Sequence, residues 1–195
     1  TIGALIETHV LVIDSRLKVA EAIQRVKKQR ESELDELKEI RTQTTDDRAI
    51  ILSANIEFEH ELTYVEKSGA EGIGLFRTEF YLLGAGEIPD ENRQTRVYTE
   101  VAKRTQPHQA IIRTLDAGGD KLPAEPLPEP EPNPFLGWRG IRVSLARQGM
   151  FKEQLRAILR ASAHGKLGVM FPLISGLTEL LTAKDILKQC MDELD

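Results

Sequence analysis

The chain carries two kinds of hydrophobic pattern, one before about residue 48 and another after it. Between Ser15 and Thr42, apolar residues recur every third or fourth position, and charged residues fill the other face. This spacing predicts one long amphipathic helix with Ser15 as its N-cap. A coiled coil is a second interpretation, but Arg30 interrupts the apolar stripe, so a linker helix is favoured. The apolar run His9–Ile13 before it is typical of a strand.

After residue 48, short apolar runs alternate with longer amphipathic segments. The runs predict strands and the longer segments predict helices. The predicted strands are Ala49–Ala54, Gly72–Phe76, Ala110–Leu115 and Leu167–Pro172, and the predicted helices are Phe58–Lys67, Glu91–Arg104, Gly149–Ala163 and one beginning at Leu177. This alternation indicates a parallel α/β sheet whose strands are buried on both faces. Periodicity leaves open whether the units form a doubly wound sheet or half of an eight-stranded barrel.

Composition excludes several classes of protein. The 195 residues are 41% hydrophobic and 29% charged, and the net charge of −5 gives no overall attraction to nucleic acid or to an anionic membrane. No apolar run approaches the roughly 18 residues of a membrane span, and the apolar start lacks the basic leader of a signal peptide. The single cysteine, Cys190, cannot form an internal disulfide, which favours a cytoplasmic protein. Its helical context predicts a half-buried residue.

Two arginines that could bind a ligand lie at the ends of predicted strands. Arg77 follows the strand in GIGLFRTEF, and Arg113 ends the strand in AIIRTLD. Parallel α/β folds place ligand-binding residues at this edge, and two guanidinium groups can bind one phosphate through paired hydrogen bonds. The alternative is that Arg77 pairs with Glu79 and Arg113 with Asp116. Two arginines at equivalent positions in consecutive units favour the anion site.

Other motifs carry weaker signals. Gly118-Gly119 lets backbone amides approach an anion, and Lys121 adds a positive charge. In NPFLGWRGIR, Arg139 either stacks on Trp138 and reaches the same edge, or it lies on the surface while Trp138 caps the core, and the spacing leaves both open. The glycines of GAEGIG precede a strand and are no dinucleotide fingerprint. The histidines lack a paired spacing and are predicted to be surface residues: His9, His60, His108 and His164.

Four blocks occur in a fixed order along the chain. They are GAEGIGLFRTEF (69–80), RTLDAGGDK (113–121), NPFLGWRGIR (133–142) and QLRAILRASAHGKLGVMFPLISG (154–176). Together they resemble Enzyme I of the bacterial phosphotransferase system, the phosphoenolpyruvate–protein phosphotransferase family, from about residue 10 onward. Pyruvate phosphate dikinase and phosphoenolpyruvate synthase share a weaker version of the first block.

The resemblance implies the first half of a (β/α)8 TIM-type barrel preceded by a long linker helix. Residues 1–14 would be a remnant of a phosphohistidine domain, 15–47 the linker and 48–195 the half-barrel. It also implies phosphoryl transfer from phosphoenolpyruvate to a protein histidine and on to a histidine-containing phosphocarrier protein, with Mg2+ as cofactor and a homodimer as the assembly. The residues that it assigns to the substrate phosphate are Arg77, Arg113 and Arg139.

This sequence lacks several residues that the family uses for its reaction. The family's acceptor histidine, its magnesium carboxylates, its arginine for the substrate carboxylate and its proton-donating cysteine have no counterpart here. Both ends look truncated, so the chain alone is expected to be inactive. The alternative is a non-catalytic binding or dimerisation module with half of the barrel fold. The resemblance does not separate a role in sugar uptake from one in the nitrogen-related branch. The Pro- and Glu-rich segment 122–132 is expected to project into solvent.

Overall fold

The structure is a computed structural model that describes residues 19–30, 32–33, 35–36, 38, 40, 42–83, 88–118, 133 and 137–194. The chain divides into two units, Thr1–Ala49 and Ile50–Asp195. In the first unit, residues 19–30 are helical and their apolar stripe is exposed, with Val26 at 67%. Lys38 lies in a turn and Thr42 is not helical, so the helix predicted over Ser15–Thr42 ends earlier than expected. Ser15 and the predicted strand His9–Ile13 lie outside the described residues.

The second unit alternates strands with helices, as the hydrophobic pattern predicts. The strands are β1 (Ala54–Ile56), β2 (Ile73–Arg77), β3 (Gln109–Arg113) and β4 (Lys166–Met170). A 3-10 turn at Glu59–Glu61 precedes α1 (Leu62–Ser68), and the later helices are α2 (Thr78–Leu83), α3 (Glu91–Thr105), α4 (Ile141–Ala146), α5 (Gln148–Ser162) and α6 (Leu177–Asp192). The predicted α/β class is therefore confirmed.

The four strands form one parallel sheet in the order β1-β2-β3-β4. This is the predicted order, with each strand beside its neighbour in sequence. A doubly wound sheet would instead place the first strand in the interior. The strand order is therefore consistent with part of a barrel.

Side-chain alternation along these strands creates one covered and one open face. Ile56, Phe76, Ile112 and Val169 lie opposite one another across the sheet, and all four pack into the cores formed with the helices. The next residue on each of the last three strands points to the opposite face, since successive side chains alternate. Those residues are Arg77, Arg113 and Met170.

Helices α3 and α5 cover one face of the sheet. Tyr98 of α3 is fully buried and meets Phe76 edge to face, with ring centroids 6.2 Å apart. Ala157 and Ile158 of α5 join the same core, and a second core forms between α5 and α6. Cys190 lies in this second core with 0% exposure, so the prediction of a half-buried residue is wrong. Its place in the core makes the side chain a packing residue, and the same burial raises the pKa of its thiol.

The first strand departs from the prediction. Ala49–Ala54 was expected to be a strand buried on both faces, but β1 begins only at Ala54, and Ile51 and Leu52 are 73% and 54% exposed. Residue pairing with β2 begins at Ala54, opposite Ile73, although the carbonyl of Leu52 already accepts a hydrogen bond from the Glu71 N–H at 2.7 Å. The apolar residues before it therefore lie at the beginning of the sheet without a covering layer.

Two short helices had no counterpart among the predicted elements. They are α2, which begins directly after β2, and α4, which follows Gly140. Gly140 adopts a φ of +60°, and a Cβ there would approach the Leu173 side chain to 3.3 Å, so glycine permits the turn into α4. No helix within the described ranges is long and apolar enough to cross a membrane.

Neighbouring isoleucines of β3 provide a test of the two faces. Ile112 is fully buried beneath the helices, whereas Ile111 is partly exposed on the opposite face. We expect Ile112→Ala to lower the free energy of unfolding by about 2–5 kcal/mol, because it leaves a cavity in the core. Ile111→Ala serves as the matched control and should lower it by less than about 1 kcal/mol. Urea denaturation measures both values, and equal losses would contradict the assignment of faces.

The open face also predicts self-association. Ile51, Leu52 and Met170 expose 73%, 54% and 38% of their surface, and Ile111 lies on the open face of β3, two residues before Arg113. Uncovered apolar sheet faces and edge strands promote association. We expect the mass measured by light scattering to rise with concentration and Ile111→Lys to reduce that rise. A concentration-independent monomer that binds no hydrophobic dye would contradict this prediction.

Candidate anion-binding site

Parallel pairing brings two arginines together at the carboxyl edge of the sheet. Arg77 ends β2 and Arg113 ends β3, and the two residues are direct partners in the register of these strands. The apolar neighbours Phe76 and Ile112 face the helices, which forces both arginines onto the open face. The structure therefore places both guanidinium groups beside the same strand ends.

One carboxylate lies between these two arginines. Glu79, in the first turn of α2, presents Oε1 to Arg77 Nε at 3.5 Å, and Arg113 donates a hydrogen bond to the same oxygen. Its side chain is only 14% exposed. On its other side, Arg77 contacts Glu57 at 2.7 Å between Nη1 and Oε1. Glu57, which follows β1, was not among the residues singled out from the sequence.

The third arginine joins the group through a second carboxylate. Asp116 Oδ2 lies 3.2 Å from Arg113 Nη1, and its Oδ1 accepts a hydrogen bond from Arg139 Nε at 3.0 Å. A backbone bridge between Gly118 and Arg139 holds the two loops together. Arg139 thus reaches the same edge, which decides between the two positions that the sequence left open. Arg77, Arg113 and Arg139 are called the arginine cluster below.

Trp138 packs beside this cluster as a core residue. It lies against the small apolar core of Leu82, Leu115, Ala117 and Val143. Trp138 therefore caps this core, and Arg139 nevertheless lies at the edge of the sheet. The sequence analysis had presented them as parts of different alternatives. Gly119, Lys121 and the segment 122–132 lie outside the described residues.

The cluster borders a cavity of about 340 Å³. Its lining residues are Arg77, Glu79, Phe80, Leu83, Asp116, Ala117 and Arg139. Arg113 is not among them and instead joins Glu79 to Asp116 from one side. The cavity lies at the lower end of the size range of small-molecule sites, which suits a compact anion.

Aromatic side chains form one wall beside the cavity. The Arg77 guanidinium lies over the Phe80 ring, 5.0 Å from its centroid, and Phe58 lies beside Phe80 with centroids 6.2 Å apart. Phe58 and Phe80 remain 38% and 39% exposed. The sequence analysis missed this wall. The phenylalanine of the motif GLFRTEF was the available signal for Phe80.

The arginines pair with acidic side chains, as the alternative interpretation expected, and they also lie together at one edge of the sheet. Each arginine contacts a carboxylate, and the formal charges of the three arginines balance those of Glu57, Glu79 and Asp116. Two buried polar atoms of the cluster nevertheless lack a hydrogen-bond partner: Glu79 Oε2 and Arg113 Nε. Leaving such atoms unpaired costs about 1–3 kcal/mol each, more for charged groups. Of these two atoms, only the Arg113 Nε–H is a donor and could be satisfied by an anion.

The remaining candidates take no part in this site. His60, His108 and His164 are exposed, as predicted, and His60 stacks on Phe58 with centroids 5.4 Å apart, while His9 lies outside the described residues. Within the part of the chain that the structure describes, no group of three or more His, Cys, Asp or Glu side chains could hold a metal ion. These residues therefore do not fit a magnesium site, and we assign the implied Mg2+ no ligand among them.

Comparison with known proteins defines the class to which this fold and site belong. The family model of the PEP-utilising enzymes, PEP-binding domain, matches residues 31–195. The match covers most of the chain, so the chain belongs to this family.

Individual relatives within this family share one enzyme name. The phosphoenolpyruvate-protein phosphotransferase of Staphylococcus aureus (strain MSSA476) is 45% identical over 163 residues, which are 83% of this chain and 28% of that protein. The enzymes of the same name from Latilactobacillus sakei and Buchnera aphidicola subsp. Schizaphis graminum are 45% and 46% identical over 80% and 77% of this chain. The chain spans only 26–28% of the length of these three relatives.

Substitutions in the cluster test whether it binds anions. Replacing Arg77 or Arg113 with Ala should weaken sulfate or phosphate binding by about 1.5–3 kcal/mol, the typical contribution of a charged hydrogen bond. Arg104→Ala is the matched control, because Arg104 makes a bidentate pair with Glu66 outside the cavity, with both distances 2.7 Å. Titration calorimetry measures the affinities. Equal affinity in the Arg77 and Arg104 variants would contradict the assignment.

Proposed function

We propose that this chain supplies the phosphate-binding half of a phosphoenolpyruvate-dependent protein phosphotransferase. The reaction is transfer of the phosphoryl group from phosphoenolpyruvate to a protein histidine and then to a small histidine-containing phosphocarrier protein. One observation carries the proposal: shared carboxylates bring together the arginines of three separate sequence blocks at the carboxyl edge of the parallel sheet, and two of these arginines, Arg77 and Arg139, line one cavity. The family match and the names of the relatives support the choice of phosphoenolpyruvate.

The arginine cluster suits a phosphate because of how its charges are arranged. Arg77 and Arg139 face the cavity, and Glu57, Glu79 and Asp116 hold their guanidinium groups in place. A phosphate oxygen can replace the contact between Arg77 and Glu79, which at 3.5 Å is longer than the neighbouring ion pairs. Fixed guanidinium groups stabilise the charge on a transferring phosphoryl group without reorganising during the reaction. Binding and orientation of the phosphate are thus the roles proposed for these residues.

The architecture proposed for this part is the first half of a (β/α)8 barrel over residues 48–195, after a linker over 15–47 and a remnant of a phosphohistidine domain over 1–14. The sequential order of four parallel strands, with helices on one face and an open face opposite, supports the half-barrel. Ligand-binding residues at the carboxyl ends of the strands suit the same architecture. We further propose Mg2+ as a cofactor of the whole protein, a homodimer as its assembly and the cytoplasm as its location.

The proposal predicts binding of phosphoenolpyruvate without turnover. The 195-residue chain should bind phosphoenolpyruvate, because the cavity offers two arginines and a compact volume. It should not release pyruvate when incubated with Mg2+ and the phosphocarrier protein, since the acceptor histidine and metal carboxylates of the family have no counterpart among its described residues. Calorimetry measures binding, and a coupled lactate dehydrogenase assay measures pyruvate.

Each outcome has a distinct meaning. Steady pyruvate release above the blank would show that the chain holds a complete active site and would overturn the predicted inactivity. Absence of any phosphoenolpyruvate binding would instead favour the non-catalytic binding or dimerisation module. The Arg77→Ala variant controls for binding elsewhere on the chain, because it removes a guanidinium group that lines the cavity.

A further inference from the structure

A network of buried polar side chains lies directly behind the arginine cluster. Its members come from three helices and are almost inaccessible to solvent: Thr78 (0% exposed), Gln94 (1%), Tyr98 (0%) and Gln154 (3%). Burying so many polar groups between helices is unfavourable unless each finds a hydrogen-bond partner. The partners that these groups find connect the helical layer to the cluster.

Gln154 of α5 makes the contacts nearest to the cluster. Its side-chain oxygen Oε1 accepts a hydrogen bond from the backbone N–H of Leu115 at 3.0 Å, and its Nε2 donates to Thr78 Oγ1 at 3.1 Å. The Thr78 hydroxyl in turn donates to the backbone carbonyl of Arg113 at 2.8 Å. Through these three bonds, one amide contacts the residue after Arg77 and the segment on which Arg113 lies.

Beyond Gln154, the hydrogen-bond network continues away from the arginine cluster. Nε2 of Gln154 also donates to the Tyr98 hydroxyl at 3.3 Å, which donates to Gln94 Oε1 at 3.3 Å. Gln94 Nε2 then donates to the carbonyl of Pro89 at 2.7 Å. Burial raises the pKa of Tyr98, and the hydrogen bond from Gln154 opposes this to a smaller extent, so the phenol stays protonated and able to donate. The two donor hydrogens of Gln154 and its acceptor oxygen are thus all used.

We propose that Gln154 is a positioning residue that sets the spacing of Arg77 and Arg113 for phosphate binding. The inference rests on the proposed function and deepens it, because Gln154 does not line the cavity and acts through Thr78 and Leu115. A binding group must be held within about 0.5 Å of its productive position by supporting hydrogen bonds. Gln154 provides such support to the two strand ends at once.

The cost of burying an amide favours this role over simple packing. An apolar side chain of similar length would fill the space between α3 and α5, and it would avoid the free-energy cost of burying polar atoms. Removing the amide leaves the Leu115 N–H without its partner inside the protein, and the backbone after β3 must shift to reach another. That shift moves Arg113 relative to Arg77 and Asp116.

Two buried glutamines of the same network give a matched test. Gln154→Leu cuts the connection to the cluster, whereas Gln94→Leu removes an equally buried amide at the far end. We expect Gln154→Leu to weaken binding of sulfate and of phosphoenolpyruvate about tenfold, equivalent to about 1.4 kcal/mol. Gln94→Leu should change it by less than about twofold. Affinities are measured by calorimetry at a temperature at which circular dichroism shows both variants folded.

A spectroscopic measurement separates positioning from general loss of stability. The Arg113 Nε–H lacks a hydrogen-bond partner in the buried cluster, so its nuclear magnetic resonance signal reports on its surroundings. That signal should move in Gln154→Leu and stay in place in Gln94→Leu. If Gln154→Leu fails to fold, Thr78→Val cuts the same connection with a side chain of equal shape, and it should weaken binding to a similar degree.

The outcomes distinguish this inference from the proposed function. If the unmodified chain binds neither sulfate nor phosphoenolpyruvate, the proposed function fails and the inference falls with it. If the unmodified chain binds and Gln154→Leu, or Thr78→Val in its place, binds equally well, the proposed function stands and only the role of Gln154 is overturned. Equal weakening in the Gln94 and Gln154 variants would also overturn it, because the loss would then follow stability alone.

Discussion

The parallel pairing of β2 with β3 is the constraint on which the candidate site depends. It sets Phe76 beside Ile112 on the face that the helices cover, and thereby sets Arg77 beside Arg113 on the open face. A shift of either strand by one residue would bury its arginine and expose its apolar neighbour, which burial of the core opposes strongly. The free energy of the core thus holds two like charges next to each other at the edge of the sheet.

Carboxylates make that proximity tolerable. Two guanidinium groups on adjacent strands repel one another, and Glu79 lies between them as a shared partner. Asp116 extends the same arrangement to Arg139, which brings a third segment of the chain to the cavity. The acids therefore orient the arginines and balance their charge. An anion that binds here exchanges one negative partner for another, so the gain depends on geometry more than on net charge.

Geometry in turn depends on the layer behind the sheet. Helices α3 and α5 cover the β strands with apolar side chains, yet they also bury Gln94, Tyr98 and Gln154 at their contact. These polar groups bond to one another and to the strand ends. A core held by apolar contacts alone could slide slightly at little cost, whereas directional hydrogen bonds define distances. Packing and polar contacts thus act together on the position of the arginines.

The sequence by itself determined the alternation of strands and helices and the arginines worth examining, because hydrophobic periodicity and local motifs are properties of neighbouring residues. The strand order was expected only from the resemblance of four sequence blocks to a known family. The hydrophobic pattern misplaced the first strand, because Ile51 and Leu52 are apolar enough for a buried strand, while in the fold they remain exposed and residue pairing with β2 begins at Ala54. Only the tertiary structure decided that Glu57 holds Arg77, that Arg139 reaches the cavity and that Gln154 supports the strand ends. Those contacts join residues from 20 to 39 positions apart, and pairings across such distances leave no local pattern to read.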